Sequence, residues 1–142
     1  MTNTTTDDSP FKLSLVQTKE TLVKARDLII EKGWTHDAYA RNANGHTVAY
    51  NDPTATCFCM SGAMRRAIYG ENLNATYKVQ EQLCRDHLTK ALFESDTPPP
   101  KGFGIAYWND SIAGTKERVI DMFNQAIARV DALVEKMYGV KS

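Results

Sequence analysis

The clearest element of this chain is KERVIDMFNQAIARVDALVEKMY, residues 116–138. Its apolar residues recur at helical spacing and form one stripe, which comprises Val119, Phe123, Ala126, Ile127, Val130, Leu133, Val134 and Met137. Thr115 is a natural N-cap for this stretch, and Gly139 stands where a left-handed residue often ends a helix. The stretch therefore predicts a long amphipathic helix in a mainly helical domain.

Three further helices are predicted upstream. The first covers about residues 11–32, where apolar positions repeat at helical spacing and Gly33 supplies the stop. The second is expected over residues 52–69, with Asp52 as N-cap and Pro53 as the first helical residue. The third is expected over residues 73–93. The proline-rich run at 95–104 cannot continue a helix, and it predicts a loop that leads to Trp108.

Residues 40–50, ARNANGHTVAY, have a different pattern. Asn44-Gly45 supplies the positive φ values of a tight turn, which predicts a hairpin of residues 39–42 against 47–50. We therefore expect a mainly α fold: about four helices in one compact domain, residues 11–140, with a short β-hairpin or loop insertion after the first helix. The polar, acidic residues 1–10 predict a disordered leader.

Composition narrows the classes of function. The 142 residues carry 17 Lys and Arg against 17 Asp and Glu, so there is no overall basic field and nucleic acid is a disfavoured partner. No apolar run approaches the roughly 20 residues that span a bilayer, and no membrane partner is expected. The polar start is not that of a signal peptide, and three cysteines do not make a disulfide framework. The expected location is a reducing cytoplasm.

The cysteines at 57 and 59 allow a metal-site and a nucleophile hypothesis. Structural zinc sites use two separated pairs of ligands, and only one pair is present, so neither a metal nor another cofactor is expected. Cys59 falls on the apolar arc of the second helix, as a small buried residue would. Cys57 lies near the expected helix start, where a thiol pKa can be lowered, but no histidine is paired with it by spacing. Gly62, inside the helix, indicates close approach of another backbone.

Polar residues in two segments are candidates for binding. Arg65 and Arg66 fall on or near the exposed side of the second helix, where they are solvated charges or contacts for an anion or an acidic partner. Asn109 and Asp110 follow Trp108, whose indole is expected in the core. In one interpretation Asp110 accepts hydrogen bonds from backbone N–H groups at the start of the last helix. In the other interpretation, the side chains of Asn109 and Asp110 lie at the mouth of a pocket.

These motifs resemble those of a family of small uncharacterised bacterial and phage proteins. That family pairs an Arg-Asp/Asn-x-x-Gly stretch with a Cys-Leu-x-Gly-Ala-Leu-x-x-Ala segment and a Trp-Asn-Asp triplet before a final helix. Here the corresponding stretches are ARNANG at 40–45, CMSGAMRRA at 59–67 and WND at 108–110, within a match over roughly residues 20–130. Asn42 replaces a common acid, and Met60 and Met64 replace leucines. The resemblance implies a shared framework and a bacterial or phage source, but no activity. The framework residues are Arg41, Gly45, Cys59, Gly62, Ala63, Trp108, Asn109 and Asp110.

We expect a non-enzymatic cytoplasmic module that binds a partner protein or a small ligand, one version being a phage-encoded modulator of a host process. The candidate binding residues are Arg41, Arg65, Arg66, Asn109 and Asp110. The alternative is a small hydrolase or transferase that uses Cys57 or Cys59 with a histidine and Asp110. In either case Arg41, Gly62 and residues 108–110 should converge in three dimensions.

Overall fold

A computed structural model of the chain describes residues 10–70 and 77–139. Within these ranges the chain forms five helices and three strands. The helices are α1 (Pro10–Glu31), α2 (Met60–Tyr69), α3 (Lys78–Phe93), α4 (Ile105–Ser111) and α5 (Lys116–Tyr138), and the strands are β1 (Ala40–Asn42), β2 (Thr47–Val48) and β3 (Ala55–Phe58). The mainly α fold with a hairpin after the first helix is confirmed, although α4 is a fifth helix. Residues 1–9 of the expected leader and residues 73–76 of the expected third helix lie outside the described residues.

The core lies where α1 packs against α2 and α5, and where α3 closes the other side of α5. The stripe of α5 is buried as predicted from Val119 to Val134 except at Leu133, which is partly buried, whereas Met137 is largely exposed. The expected face of α1 is buried too: Leu15, Leu22, Ala25 and Ile29. Among the described helices, none is both long and apolar enough to cross a membrane.

The three strands form one antiparallel sheet in the order β2-β1-β3. The predicted hairpin is the β1–β2 pair, in which Arg41 lies opposite Thr47. Its turn contains Gly45 with φ +82°, and the Asn42 side chain accepts hydrogen bonds from the backbone N–H groups of Asn44 and His46 at 3.0 Å each. The Asn-Gly signal thus identified the position of the turn, although of these two residues only Gly45 has a positive φ.

The predicted start of the second helix at Asp52 is wrong. Asp52 accepts hydrogen bonds from the backbone N–H and the hydroxyl of Thr54, at 2.8 and 2.6 Å, and this turn leads into β3. Helix α2 begins at Met60, with Cys59 as its N-cap. The strand forms because residues 55–58 pair with β1, a contact distant in sequence that a helical repeat cannot reveal.

The loop expected to lead up to Trp108 is also wrong over its last residues. Helix α4 begins directly after Gly104, and residues 108–110 lie inside it. Ile105 and Trp108, three residues apart, are both buried, so one face of this short helix belongs to the core. The indole is 1 % exposed, as predicted, and its N–H donates to the Thr97 carbonyl at 2.8 Å.

Candidate functional site

Asn109 holds α4 against the rest of the domain. Its side-chain oxygen accepts hydrogen bonds from the Trp34 indole N–H at 2.8 Å and the Met60 backbone N–H at 3.0 Å. Its amide nitrogen donates to the Thr35 carbonyl at 3.2 Å and to Asp110 Oδ1 at 2.9 Å. The buried amide therefore ties together α4, the start of α2 and the segment that follows α1.

The start of α2 is held just as closely. The Cys59 backbone N–H donates to the Tyr39 carbonyl at 3.1 Å, and Cys59 Sγ accepts a hydrogen bond from the Gly62 N–H at 3.2 Å. A Cβ atom on Gly62 would lie 2.0 Å from the Tyr39 carbonyl oxygen. The close backbone approach predicted at Gly62 is confirmed, and the neighbour is the residue that precedes β1.

A cleft of about 340 Å³ lies between the start of α2, α3 and α4, beside residues 38–39. Its wall includes a guanidinium, a carboxylate, a hydroxyl and a thiol together with an aromatic residue. The lining residues are Ala38, Tyr39, Cys59, Ser61, Arg85, Ala106, Asn109 and Asp110. Helices α2 and α4, which carry two of the sequence motifs, thus meet at one concave surface.

Three polar groups on this wall have unused hydrogen-bonding capacity. Ser61 is only 5 % exposed, yet its hydroxyl makes no hydrogen bond to another described residue. Asp110 Oδ1 accepts from the Asp37 and Asn109 N–H groups, whereas Oδ2 has no hydrogen-bond partner within residues 10–70 and 77–139. Arg85 contacts Glu81 through Nε alone, at 3.4 Å.

Glu81 organises the charges behind the cleft. Its carboxylate accepts from Arg65 Nε at 3.1 Å, from Arg85 Nε at 3.4 Å and from the Tyr69 hydroxyl at 2.8 Å. Burial acts to raise the pKa of Glu81, but the Tyr69 hydrogen bond and the two guanidinium groups outweigh it and hold the pKa below its usual value. Arg65, a predicted binding residue, is thus engaged by Glu81, and its guanidinium also lies 5.0 Å from the centre of the Tyr39 ring.

The other two predicted arginines support loops near the site. Arg41 donates to the Thr35 hydroxyl at 3.0 Å and to the His36 carbonyl at 3.3 Å. Arg66 donates to the Tyr50 carbonyl at 2.9 Å, which fastens the chain between β2 and β3 to α2. Neither side chain lines the cleft.

The expected convergence of the motifs is confirmed, and Thr35 is the residue that joins them. Its hydroxyl accepts a hydrogen bond from Arg41, and its carbonyl accepts one from the Asn109 amide. The Asn109 side-chain oxygen in turn accepts a hydrogen bond from the backbone N–H at the start of α2. The expectation that Asp110 accepts N–H groups entering the last helix is wrong. Thr115 caps α5, and Asp110, on α4, accepts instead from Asp37, 73 residues away in sequence.

Sequence reasoning missed five residues of the cleft lining as site residues, and two of them, Ser61 and Arg85, carry polar groups with unused hydrogen-bonding capacity. Ser61 lies in the first turn of α2, and the neighbouring elements leave it only 5 % exposed. Arg85 lies on α3 and is not part of any of the sequence motifs. The position of Arg85 depends on how α3 packs, which no local pattern shows.

Cys59 and Cys84 have the surroundings of structural thiols. All three cysteines are free, and Cys59 and Cys84 are buried. Burial raises the pKa of the Cys59 thiol, although the N–H groups of Gly62 and Ser61 oppose the effect. No histidine is among the residues that line the cleft. In the described part of the chain, no group of three or more His, Cys, Asp and Glu residues could hold a metal ion.

Comparison with known proteins identifies the family to which the chain belongs, but no activity. The profile of a family of unknown function, DUF6197, matches residues 14–129. No curated protein and no solved structure shows significant similarity to the chain. The matched span contains all the residues that line the cleft. Because it covers most of the sequence, the chain belongs to the DUF6197 family, whose function is unknown.

Proposed function

We propose that this protein is a non-enzymatic binding module, and that the cleft beside Ser61 holds a small polar ligand. The observation that carries the proposal is the Ser61 hydroxyl, which makes no hydrogen bond to a described residue although Ser61 is only 5 % exposed and lines the cleft. A ligand that forms a hydrogen bond with this hydroxyl gains about 0.5–1.5 kcal/mol from it. The cleft, at about 340 Å³, has the size of a small-molecule site rather than of a protein interface.

The rigidity of the surroundings supports the same proposal. Asn109 uses all its hydrogen-bonding groups to hold three segments together, and Gly62 lets α2 lie against the Tyr39 backbone. A site that is already ordered spends little free energy on ordering when a ligand arrives. In this proposal the residues of the sequence motifs hold the backbone around the cleft in place, and the residues that line the cleft contact the ligand.

The second candidate function, a cysteine-dependent hydrolase or transferase, is less well supported. Such an enzyme needs a thiolate and a base within reach of it. Burial raises the pKa of Cys59, which favours the protonated thiol, and no histidine belongs to the cleft lining. Cys57 lies in β3 and does not line the cleft. Its thiol lies beside the Arg41 carbonyl. A ligand that is bound without being transformed agrees better with these surroundings.

The proposed setting is the cytoplasm of a bacterium or of a phage-infected cell. The resemblance of the motifs to those of bacterial and phage proteins supports the source, and the three free cysteines agree with a reducing compartment. A phage-encoded modulator that binds a host metabolite is the form of the proposal that fits both observations.

The test is to fill the cleft and follow ligand retention. Ala106 is exposed and lines the cleft, and Ala128 is an exposed alanine on α5, so Ala106→Trp and Ala128→Trp form a matched pair. Protein purified from its native host would be analysed by native mass spectrometry for a bound small molecule. We expect wild type and Ala128→Trp to retain the ligand and Ala106→Trp to lose it. Equal retention by all three, with circular dichroism unchanged, would refute the assignment of the cleft.

A further inference from the structure

The chemistry of the cleft wall limits what the ligand can be. Arg85 has five N–H donors in a planar fork, and its contact to Glu81 uses Nε at 3.4 Å. The Nη groups make no hydrogen bond to another described residue. Glu81 is already shared with Arg65 and Tyr69, so two guanidinium groups face one carboxylate. This excess of positive charge favours an anionic group on the ligand. The unused Nη groups of Arg85 can donate hydrogen bonds to the two oxygens of a carboxylate.

The opposite charge is supplied by Asp110. Its Oδ1 atom is occupied by the N–H groups of Asp37 and Asn109, whereas Oδ2 has no hydrogen-bond partner in the described part of the chain. A carboxylate that lines a cleft favours a cationic donor and repels a second anion. A multiply charged anion, such as a phosphate, would therefore gain from Arg85 and lose to Asp110.

The remaining lining agrees with a small, compact molecule. Ser61 offers a hydroxyl that can donate or accept, and Ala38 and Ala106 give short apolar walls. The volume of about 340 Å³ lies near the lower end of the range for small-molecule sites. One cation and one anion on the wall cancel, so a ligand with no net charge but with separated charges is the complementary one.

We infer, on the basis of the proposed function, that the cleft binds a small zwitterion of the amino-acid type. Its carboxylate pairs with the Arg85 guanidinium, and its ammonium group donates to Asp110 Oδ2. The Ser61 hydroxyl, which makes no hydrogen bond to a described residue, provides a further contact to the polar part of the same ligand.

The first experiment compares ligands that differ only in charge. ¹⁵N-labelled protein would be titrated with γ-aminobutyrate, butyrate and butylamine, then with β-alanine, 5-aminopentanoate and the common α-amino acids. The backbone amide signals of Ser61 and Ala106 report on the cleft. We expect at least one zwitterion to shift these signals saturably, with a dissociation constant about tenfold or more below those of the acid and amine of the same chain length.

The second experiment assigns the two charges to residues. Arg85→Gln should remove the advantage of the zwitterion over the matched amine, and Asp110→Asn should remove its advantage over the matched acid. Asp110→Asn keeps an acceptor oxygen for the Asp37 N–H, so the fold should be retained. Lys101→Gln removes an exposed charge at a position that does not line the cleft, and it should leave all the constants unchanged.

The outcomes separate this inference from the proposed function. If butyrate binds as tightly as the zwitterions, or if no compound of the panel shifts the cleft signals, the zwitterion inference is overturned. In that case a host ligand that is lost from Ala106→Trp but kept by Ala128→Trp would still support binding in the cleft. If neither variant alters retention, both proposals fail.

Discussion

Replacing Gly62 by alanine sets two physical effects against each other. Glycine inside a helix is less stable than alanine by about 1 kcal/mol, so helix propensity alone predicts that Gly62→Ala stabilises the protein. The added Cβ atom, however, would lie 2.0 Å from the carbonyl oxygen and 2.9 Å from the carbonyl carbon of Tyr39. These are backbone atoms, which cannot rotate out of the way as a side chain can.

The structure gives the size of the second effect. To bring the Cβ–oxygen distance even to about 3 Å, the Tyr39 backbone and α2 must separate by about 1 Å. That shift strains the hydrogen bond from the Cys59 N–H to the Tyr39 carbonyl, which is worth about 0.5–1.5 kcal/mol. Overpacking adds about 1–3 kcal/mol. After subtraction of the gain in propensity, we expect Gly62→Ala to lower the free energy of unfolding by about 2 kcal/mol.

Urea denaturation followed by far-UV circular dichroism measures this difference. For a domain of this size the same loss should lower the thermal midpoint by about 4–8 °C. Gly104→Ala is the matched control because a Cβ there has no atom within 4 Å and φ is −136°, and it should change stability by no more than about 0.5 kcal/mol. If Gly62→Ala is as stable as wild type, the close approach of α2 to Tyr39 is not a constraint on the fold.

Two further predictions concern buried groups outside the cleft. Trp108→Ala should destabilise the domain by about 3–5 kcal/mol, since it empties a fully buried site and leaves the Thr97 carbonyl without its donor; an unchanged thermal melt would contradict this. Burial and the nearby positive charges of Lys90 and Arg129 lower the pKa of His87. The neutral form is therefore favoured in the folded state, and stability should be full above the ordinary pKa of about 6.5 and fall as pH drops through the folded pKa. Urea midpoints at about pH 7.5 and 5.5 should differ less in His87→Gln than in wild type, and an equal difference would show that another group is responsible.

The parts of the fold that could be predicted depend on interactions between near neighbours in sequence. Helices α1 and α5 each carry a long apolar stripe, and Thr115 and Gly139 mark the ends of α5. The Asn44-Gly45 turn brings together strands only a few residues apart. Such signals act within one helix or one hairpin, so periodicity, capping and turn chemistry were sufficient to identify them.

The errors have the opposite cause. A helix was predicted over residues 52–69, yet residues 55–58 pair with β1 because that contact satisfies the backbone of both strands. Helix α4 has only 7 residues, too few to be stable alone, and it exists because Ile105 and Trp108 bury their side chains in the core. In both places tertiary contacts outweighed the local pattern.

The sequence by itself determined the helical class, the long helices, the hairpin and the buried character of Trp108 and Gly62. The tertiary structure decided which of the motif residues face a cavity. Asn109 is buried and holds three segments together, and Arg41 donates a hydrogen bond to Thr35. Arg85 places its charge on the wall of the cleft. The physical reason is that a helix pattern specifies which face is buried but not which neighbour buries it. The partners of a polar side chain are therefore settled only when distant segments pack together.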